Sequence, residues 1–211
     1  QIETWCTGCI LPFPKKGDLS NTENYRGITL TSIAAKIYNS MLLNRIQPTM
    51  EKILRKNQNG FRKGRSATSQ ILTIRRIIEG VKNKNLTAAL LFVDFSKAFD
   101  SINRAKMKKI LEAYGIPDET VSAIMMLYKN TKACVRSPDG DTNVFEIFAG
   151  VLQGDTLAPY LFVICLDYVL RTSVDLHEEL GFTLSKRRSR RYPPINITDA
   201  DYADDLALLS D

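Results

Sequence analysis

The order of apolar runs, turn signals and periodic segments predicts an α+β domain. Three observations carry that prediction. Several stretches repeat apolar residues at helical spacing, beginning with Ile33, Ile37, Met41 and Leu42. A continuous apolar run, Ala88 to Phe95, ends abruptly in charge and reads as a buried strand. Two patterns of alternating residues flank tight turns, one at Pro138-Asp139-Gly140-Asp141 and one at Asp204-Asp205. The chain has 211 residues with 44% hydrophobic content, enough for one large domain or two small ones with a real core. No apolar run approaches the roughly 18 residues a membrane span needs, and no signal-peptide pattern opens the chain. A net charge of +6 favours an anionic partner, although mildly basic proteins are common.

The elements follow in order. Ile10 to Pro14 is apolar and breaks at the turn residues Lys15 to Asp18; Ile28 and Leu30 sit in a short strand. Thr31 or Ser32 caps the first long helix, which Pro48 is expected to end. Asn57 to Gly64 is polar and punctuated by glycine. Ser66 opens a second helix with Ile71, Ile74, Ile78 and Val81 on one face, and Lys82 to Asn85 reads as a loop. After the Ala88–Phe95 strand, Lys106 to Tyr114 is helical and stops at Gly115. Asp118 is placed to cap a helix running to about Tyr128. Ala133–Arg136 and Val144–Phe148 form the first hairpin, and a long apolar helix begins near Pro159. A basic run, Lys186 to Arg191, precedes the alternating strands around Ile195, Ile197, Leu206 and Leu208.

Cys6 and Cys9 form a C-x-x-C pair, half of a zinc site, but no second pair follows and His177 is the sole histidine. Structural zinc wants four ligands, so unpaired thiols are the better reading. The acidic residues carry more. Asp94 closes the Ala88–Phe95 strand, and Asp204 and Asp205 sit in a hairpin turn with apolar flanks. Each has an ordinary alternative: Asp94 as a turn cap, the pair as a surface doublet. Brought together, three carboxylates are costly unless a cation neutralises them. Mg²⁺ takes such oxygen ligands, and two ions about 4 Å apart can activate a hydroxyl and stabilise a leaving pyrophosphate. The segment Gly150 to Pro159 adds Gln153, whose amide can meet a base or sugar edge, and Gly154, which permits close backbone approach. By itself it reads equally as a loop entering a helix.

Five segments, LPFPKKGDLSNTENYRGITL, NQNGFRKGRSATSQIL, LLFVDFSKAFDSI, AGVLQGDTLAPYLF and ADYADDLALLSD, occur in this order and span nearly the whole chain. In them the chain resembles the reverse transcriptases of non-LTR retrotransposons, closest to the RTE-like clade. The resemblance implies a right-hand polymerase fold with an antiparallel palm sheet backed by helices, residues about 1–87 being mostly fingers and about 88–211 mostly palm. It implies RNA-directed DNA synthesis from dNTPs on an RNA template and a DNA primer. Asp94, Asp204 and Asp205 match the family's catalytic metal ligands, for two Mg²⁺ ions with Mn²⁺ as a substitute. Phe99 matches the bulky residue that crowds the incoming sugar, with core packing as its alternative. Gln153 and Gly154 match the motif lining the nucleotide and template pocket. Lys15 and Arg26 match basic positions near the triphosphate, and Arg62, Lys63 and Arg65 fall in a second basic block. A solvated loop is the equal alternative for that block. Tyr25-Arg26-Gly27-Ile28 departs from the commoner Y-R-P-I wording without touching the chemistry.

The resemblance also implies what a full element carries: an upstream endonuclease and a downstream primer grip and thumb. The chain reads as truncated of these, which puts polymerisation by the fragment itself in doubt. Access to chromosomal DNA is expected, and no membrane. Two rival classes stand beside the polymerase. One is a decayed or domesticated remnant that binds nucleic acid without catalysis, against which the intact aspartates argue. The other is a nucleotide cyclase on a similar palm, against which the Gln153-Gly154 block and the basic fingers argue.

Overall fold

A computed structural model describes residues 3–176, 181–185, 189, 191 and 195–211. Its helices are α1 (Glu3–Cys6), α2 (Ile33–Ile53), α3 (Ala67–Lys84), α4 (Arg104–Ala113), α5 (Asp118–Leu127) and α6 (Ala158–Ser173). Its strands are β1 (Thr7–Pro14), β2 (Tyr25–Leu30), β3 (Ala89–Val93), β4 (Lys132–Ser137), β5 (Gly140–Asp141) and β6 (Phe145–Glu146). They continue as β7 (Phe182–Ser185), β8 (Ile195–Ile197), β9 (Asp199–Tyr202) and β10 (Asp205–Ser210). The expected α+β class is therefore met. The chain folds into two compact units that are discontinuous in sequence: Gln1–Ile53 with Phe99–Ile164, and Leu54–Ala98 with Cys165–Asp211.

The first unit is built on a mixed sheet in the order β2-β1-β4-β5, with β6 also pairing β4. β1 runs antiparallel to β2 and parallel to β4. Ser32 caps α2 as expected, its Oγ accepting from the Ala35 N–H at 3.2 Å. Pro48 does not end the helix. Ile46 and Met50, both buried, lock the turns on either side, and that packing outweighs the missing N–H. The buried face of α2 is Ala35, Asn39, Leu42, Ile46 and Met50, so Ile33, Ile37 and Met41 are exposed instead. Asn103 caps α4, which ends at Gly115 with φ +74° and a bond from the Ile116 N–H to the Leu111 carbonyl. Asp118 does not cap α5. Pro117 occupies that position, and Asp118 and Glu119 lie in the first turn, where they favour the helix dipole.

The second unit holds the three-stranded antiparallel sheet β3-β10-β9 and the pair β7-β8. Its core gathers Ile77, Phe182, Ala200 and Leu209, with Ile74, Val81, Leu90 and Ile197 against them. Ser66 caps α3 through the Ser69 N–H. The helix continues through Lys82 and Lys84, read above as loop, and stops at Asn85 in the left-handed region. Ile71 and Ile78 fall on its exposed side, because Gln70 and Ile77 set the buried line. β3 is not the buried strand its composition suggests. It lies at the sheet edge, leaving Leu91 60% and Phe92 70% exposed. Of the basic run Lys186–Arg191, only Ser189 and Arg191 are among the described residues, and His177 lies outside them.

Candidate active site

β10 is the central strand of its sheet because Leu206, Ala207 and Leu209 are all buried there. It pairs with β3 from Leu206↔Val93 to Ser210↔Ala89. Asp94 directly follows Val93, and Asp205 directly precedes Leu206, so both flank the last pair of that ladder. β9 returns beside β10 through Asp205↔Tyr202, so Ala203 and Asp204 form the tight connection. Ala203 takes a left-handed φ of +56° to make that turn. The three sequence-predicted acids thus share one end of one sheet. Asp94 and Asp205 are exposed and Asp204 is half-buried.

Their chemistry fits a divalent ion. All donors are carboxylate oxygens, the ligand type of a hard cation, and their exposure leaves coordination positions for water and phosphate. They do not close into a preformed cage. Among the described residues, the one triad with ligand atoms all within 4.8 Å is Cys9, Cys134 and Asp141. There Asp141 is already held by Arg136 through bonds of 3.0 and 3.1 Å. Cys9 faces Cys134 across β1 and β4, while Cys6 is buried and takes no part, so the C-x-x-C spacing defines no site.

Behind the aspartate hairpin is a network that sequence reasoning missed. Arg55 is buried and donates to Asp175 at 2.8 and 2.9 Å and to both oxygens of Asp199, one of them at 2.8 Å. It also reaches Asp201 at 3.4 Å, and its backbone N–H bonds Asp167 at 2.6 Å. Burial pushes Asp199 up, but hydrogen bonds from Arg55, Asp201 and Thr198 hold it below the usual carboxylate range. Asp201 goes the other way, pushed up to about 9 by burial and then by Asp199 beside it. Its Oδ1 meets no donor, which a retained proton shared with Asp199 resolves. The sequence signal was the alternation Asp199-Ala200-Asp201 inside a strand, where a charge pointing inward needs a partner.

The basic block behaves differently from expectation. Arg62 is buried, donating to the carbonyls of Arg55 at 2.6 Å and Gln58 at 3.1 Å. Arg65 is half-buried and donates to the Lys56 carbonyl at 2.6 Å and to Asn59 Oδ1 at 2.9 Å. Those two guanidiniums brace a loop because five fixed donors suit several carbonyls at once. Lys63 alone of the three is exposed.

In the first unit the other predicted residues gather around β2 and the loop before α6. The Thr29 N–H bonds the Gln153 carbonyl, and a Cβ on Gly154 (φ +111°) would lie 2.4 Å from the Thr29 oxygen. Gly154 is therefore required by backbone approach, here to β2. The Val151 N–H bonds the Phe99 carbonyl at 2.9 Å, and the Phe99 ring stacks on Phe162 at 5.0 Å. Gln153 lines a cleft of about 140 Å³ with Asp100, Gly27 and Thr29. Arg26 is exposed on β2, and exposed Lys15 follows β1 with its Nζ near the Glu23 carbonyl. Two further anchors escaped the sequence. Arg104 binds the carbonyls of Tyr128, Ile147, Ala149 and Gly150, which fixes the loop leading to Gln153. Asn39 donates to Asp155 at 2.6 Å, and burial, partly offset by that bond, raises the Asp155 carboxyl.

A hairpin ending in paired aspartates, beside a third strand-end aspartate, is the arrangement that the resemblance implied for a polymerase palm. The chain belongs to the family described as Reverse transcriptase (RNA-dependent DNA polymerase), which matches residues 13–211. It is 29% identical over 199 residues to the "Retrovirus-related Pol polyprotein from type-1 retrotransposable element R2" of Popillia japonica, covering 94% of this chain and 26% of that protein. It is 27% identical over 215 residues to the "Probable RNA-directed DNA polymerase from transposon BS" of Drosophila melanogaster, covering 97% and 21%. The chain thus spans about a quarter or less of these curated relatives. Candida telomerase structures share the fold. That of Candida tropicalis with a fragment of telomeric RNA aligns at a TM-score of 0.69 and 12% identity, covering 98% of this chain and 36% of that one. The Candida albicans structure aligns at 0.67 and 11%, covering 97% and 38%. Reverse transcriptases generally use divalent metal ions. No helix among the described residues is long and apolar enough to cross a membrane.

Proposed function

We propose that this chain performs RNA-templated DNA synthesis, joining a deoxynucleotide to the 3′-OH of a DNA primer. The observation that supports the reading is the register of β3 against β10, whose end pair Leu206↔Val93 is flanked in sequence by Asp205 and Asp94, with Asp204 in the adjoining turn. These three carboxylates are the ligands for two Mg²⁺ ions, replaceable by Mn²⁺. When bound, such ions acidify the attacking hydroxyl and stabilise the leaving pyrophosphate.

The remaining roles belong to the chain's own residues. Phe99 fills the space beneath the sugar and disfavours a 2′-OH; its stacking on Phe162 keeps the ring in one orientation. Gln153 and Gly154 line the nucleotide and template pocket. Lys15 and Arg26 attract the triphosphate, and Lys63 the nucleic-acid backbone. Residues about 1–87 act mostly as fingers and the rest as palm.

The test is primer extension on an RNA template, with this chain and with a longer form carrying downstream sequence. Asp204→Asn should abolish extension while binding of an RNA–DNA hybrid persists. Hybrid binding by the wild type without extension in either form would favour the non-catalytic remnant.

A further inference from the structure

We propose that Gln58 is a positioning residue for the aspartate turn, and that it sets how tightly the turn holds a divalent cation. The inference rests on the reading of Asp204 and Asp205 as metal ligands.

Ala203 precedes Asp204 with φ +56°, a backbone conformation that a Cβ disfavours. Something must hold it there. The Gln58 side chain does so from both sides: its Nε2 donates to the Ala203 carbonyl at 3.0 Å, and its Oε1 accepts from the Ala203 N–H at 2.8 Å. Only a side chain with a donor and an acceptor on one rigid plane can bracket a single residue in this way. The Gly60 N–H also bonds Oε1, at 2.7 Å, which fixes the amide orientation, since a flipped amide would set NH₂ against two N–H groups. Gly60 itself is shaped to the turn. A Cβ there would lie 2.1 Å from the Ala203 nitrogen and 2.6 Å from its Cα.

The frame that carries Gln58 is rigid. Residues 57–59 run as a short parallel extension beside β9, with the Asn59 N–H on the Asp201 carbonyl at 2.9 Å and the Asp201 N–H on the Asn57 carbonyl at 3.2 Å. The Gln58 carbonyl accepts from Arg62. Gln58 and Ala203 are both buried, so water cannot replace these bonds. Two of the amide's three hydrogen bonds go to the turn, and the turn's left-handed residue is held by the amide. Gln58 touches no reacting atom and acts through the position of Asp204.

The experiment measures Mn²⁺ affinity of this chain by the electron paramagnetic resonance of free Mn²⁺, with far-UV circular dichroism and thermal melting alongside. The variants are Asp204→Asn, Gln58→Met and Gln58→Met with Ala203→Gly. Gln58→Met keeps the volume and removes the bracketing bonds, and should weaken Mn²⁺ binding about tenfold. Glycine adopts positive φ without a Cβ penalty, so Ala203→Gly should recover about threefold or more of that loss. A residue that only filled the core would show no such rescue. If Gln58→Met does not fold, Gln58→Asn, one methylene too short to reach, carries the same test. The proposal is overturned if Asp204→Asn loses Mn²⁺ while Gln58→Met binds it within about twofold of wild type, or if Ala203→Gly rescues nothing. Wild-type Mn²⁺ affinity in Asp204→Asn would instead refute the metal reading itself, and the inference with it.

Discussion

Asp201→Asn should make the protein more stable at neutral and higher pH, and the gain should grow with pH. The wild-type carboxyl is fully buried, pushed up from 3.8 to about 9 by burial and by Asp199. In the unfolded chain it titrates near its ordinary value. Between about pH 4 and 9 the folded state therefore keeps a proton that the unfolded state has lost. That stability is fully present below the unfolded pKa and is lost as pH rises toward the folded one. The loss is about 1.4 kcal/mol per pH unit, or on the order of 4 kcal/mol between pH 5 and 8. Asp199, held low, contributes in the opposite sense, but its loss falls below pH 4 and leaves this window untouched. Asparagine reproduces the protonated acid, with an NH₂ for Asp199 and an oxygen for Arg55. Urea unfolding followed by far-UV circular dichroism at pH 5, 6, 7 and 8 gives the two stability curves. Curves that stay parallel across that range would show that Asp201 is ionised in the fold, and the shared-proton account of the Arg55 network would be wrong.

Phe99→Val should raise ribonucleotide incorporation relative to deoxynucleotide, measured by competing rNTP and dNTP in primer extension. Unchanged discrimination would leave the ring as a packing partner of Phe162 only. Lys63→Ala should flatten the salt dependence of hybrid binding by up to about one unit on a log–log plot, as for one phosphate contact. Arg62→Ala should act on stability instead, costing about 3 kcal/mol in urea unfolding, because two buried carbonyls lose a charged donor.

Much of this protein was legible in its residues. The caps Ser32 and Ser66, the stop at Gly115 and the hairpin around Gly140 are local devices, and each appears where the sequence puts it. The three aspartates stood out only in combination, since each has an ordinary reading alone and the motif order around them is what singled them out. Helix phase was not. Both α2 and α3 carry isoleucines on more than one side, so periodicity alone could not say which line is buried, and the polar Asn39 and Gln70 are buried at positions the apolar pattern passed over. Pro48 failed as a stop signal because the packing of Ile46 and Met50 exceeds one missing hydrogen bond.

By itself the sequence determined the α+β class and the order of elements, since these depend on residue type and short-range spacing, and its ordered motifs pointed to the family and to the proposed acidic triad. Tertiary structure alone decided which basic residues face solvent and which strand lies at an edge. It also paired Arg55 with Asp175, Asp199 and Asp201, and set Gln58 against Ala203. Those pairings join residues more than a hundred positions apart. They follow from desolvation: a buried guanidinium, carboxyl or amide must find its partners wherever the fold brings them, and no local pattern records where that is.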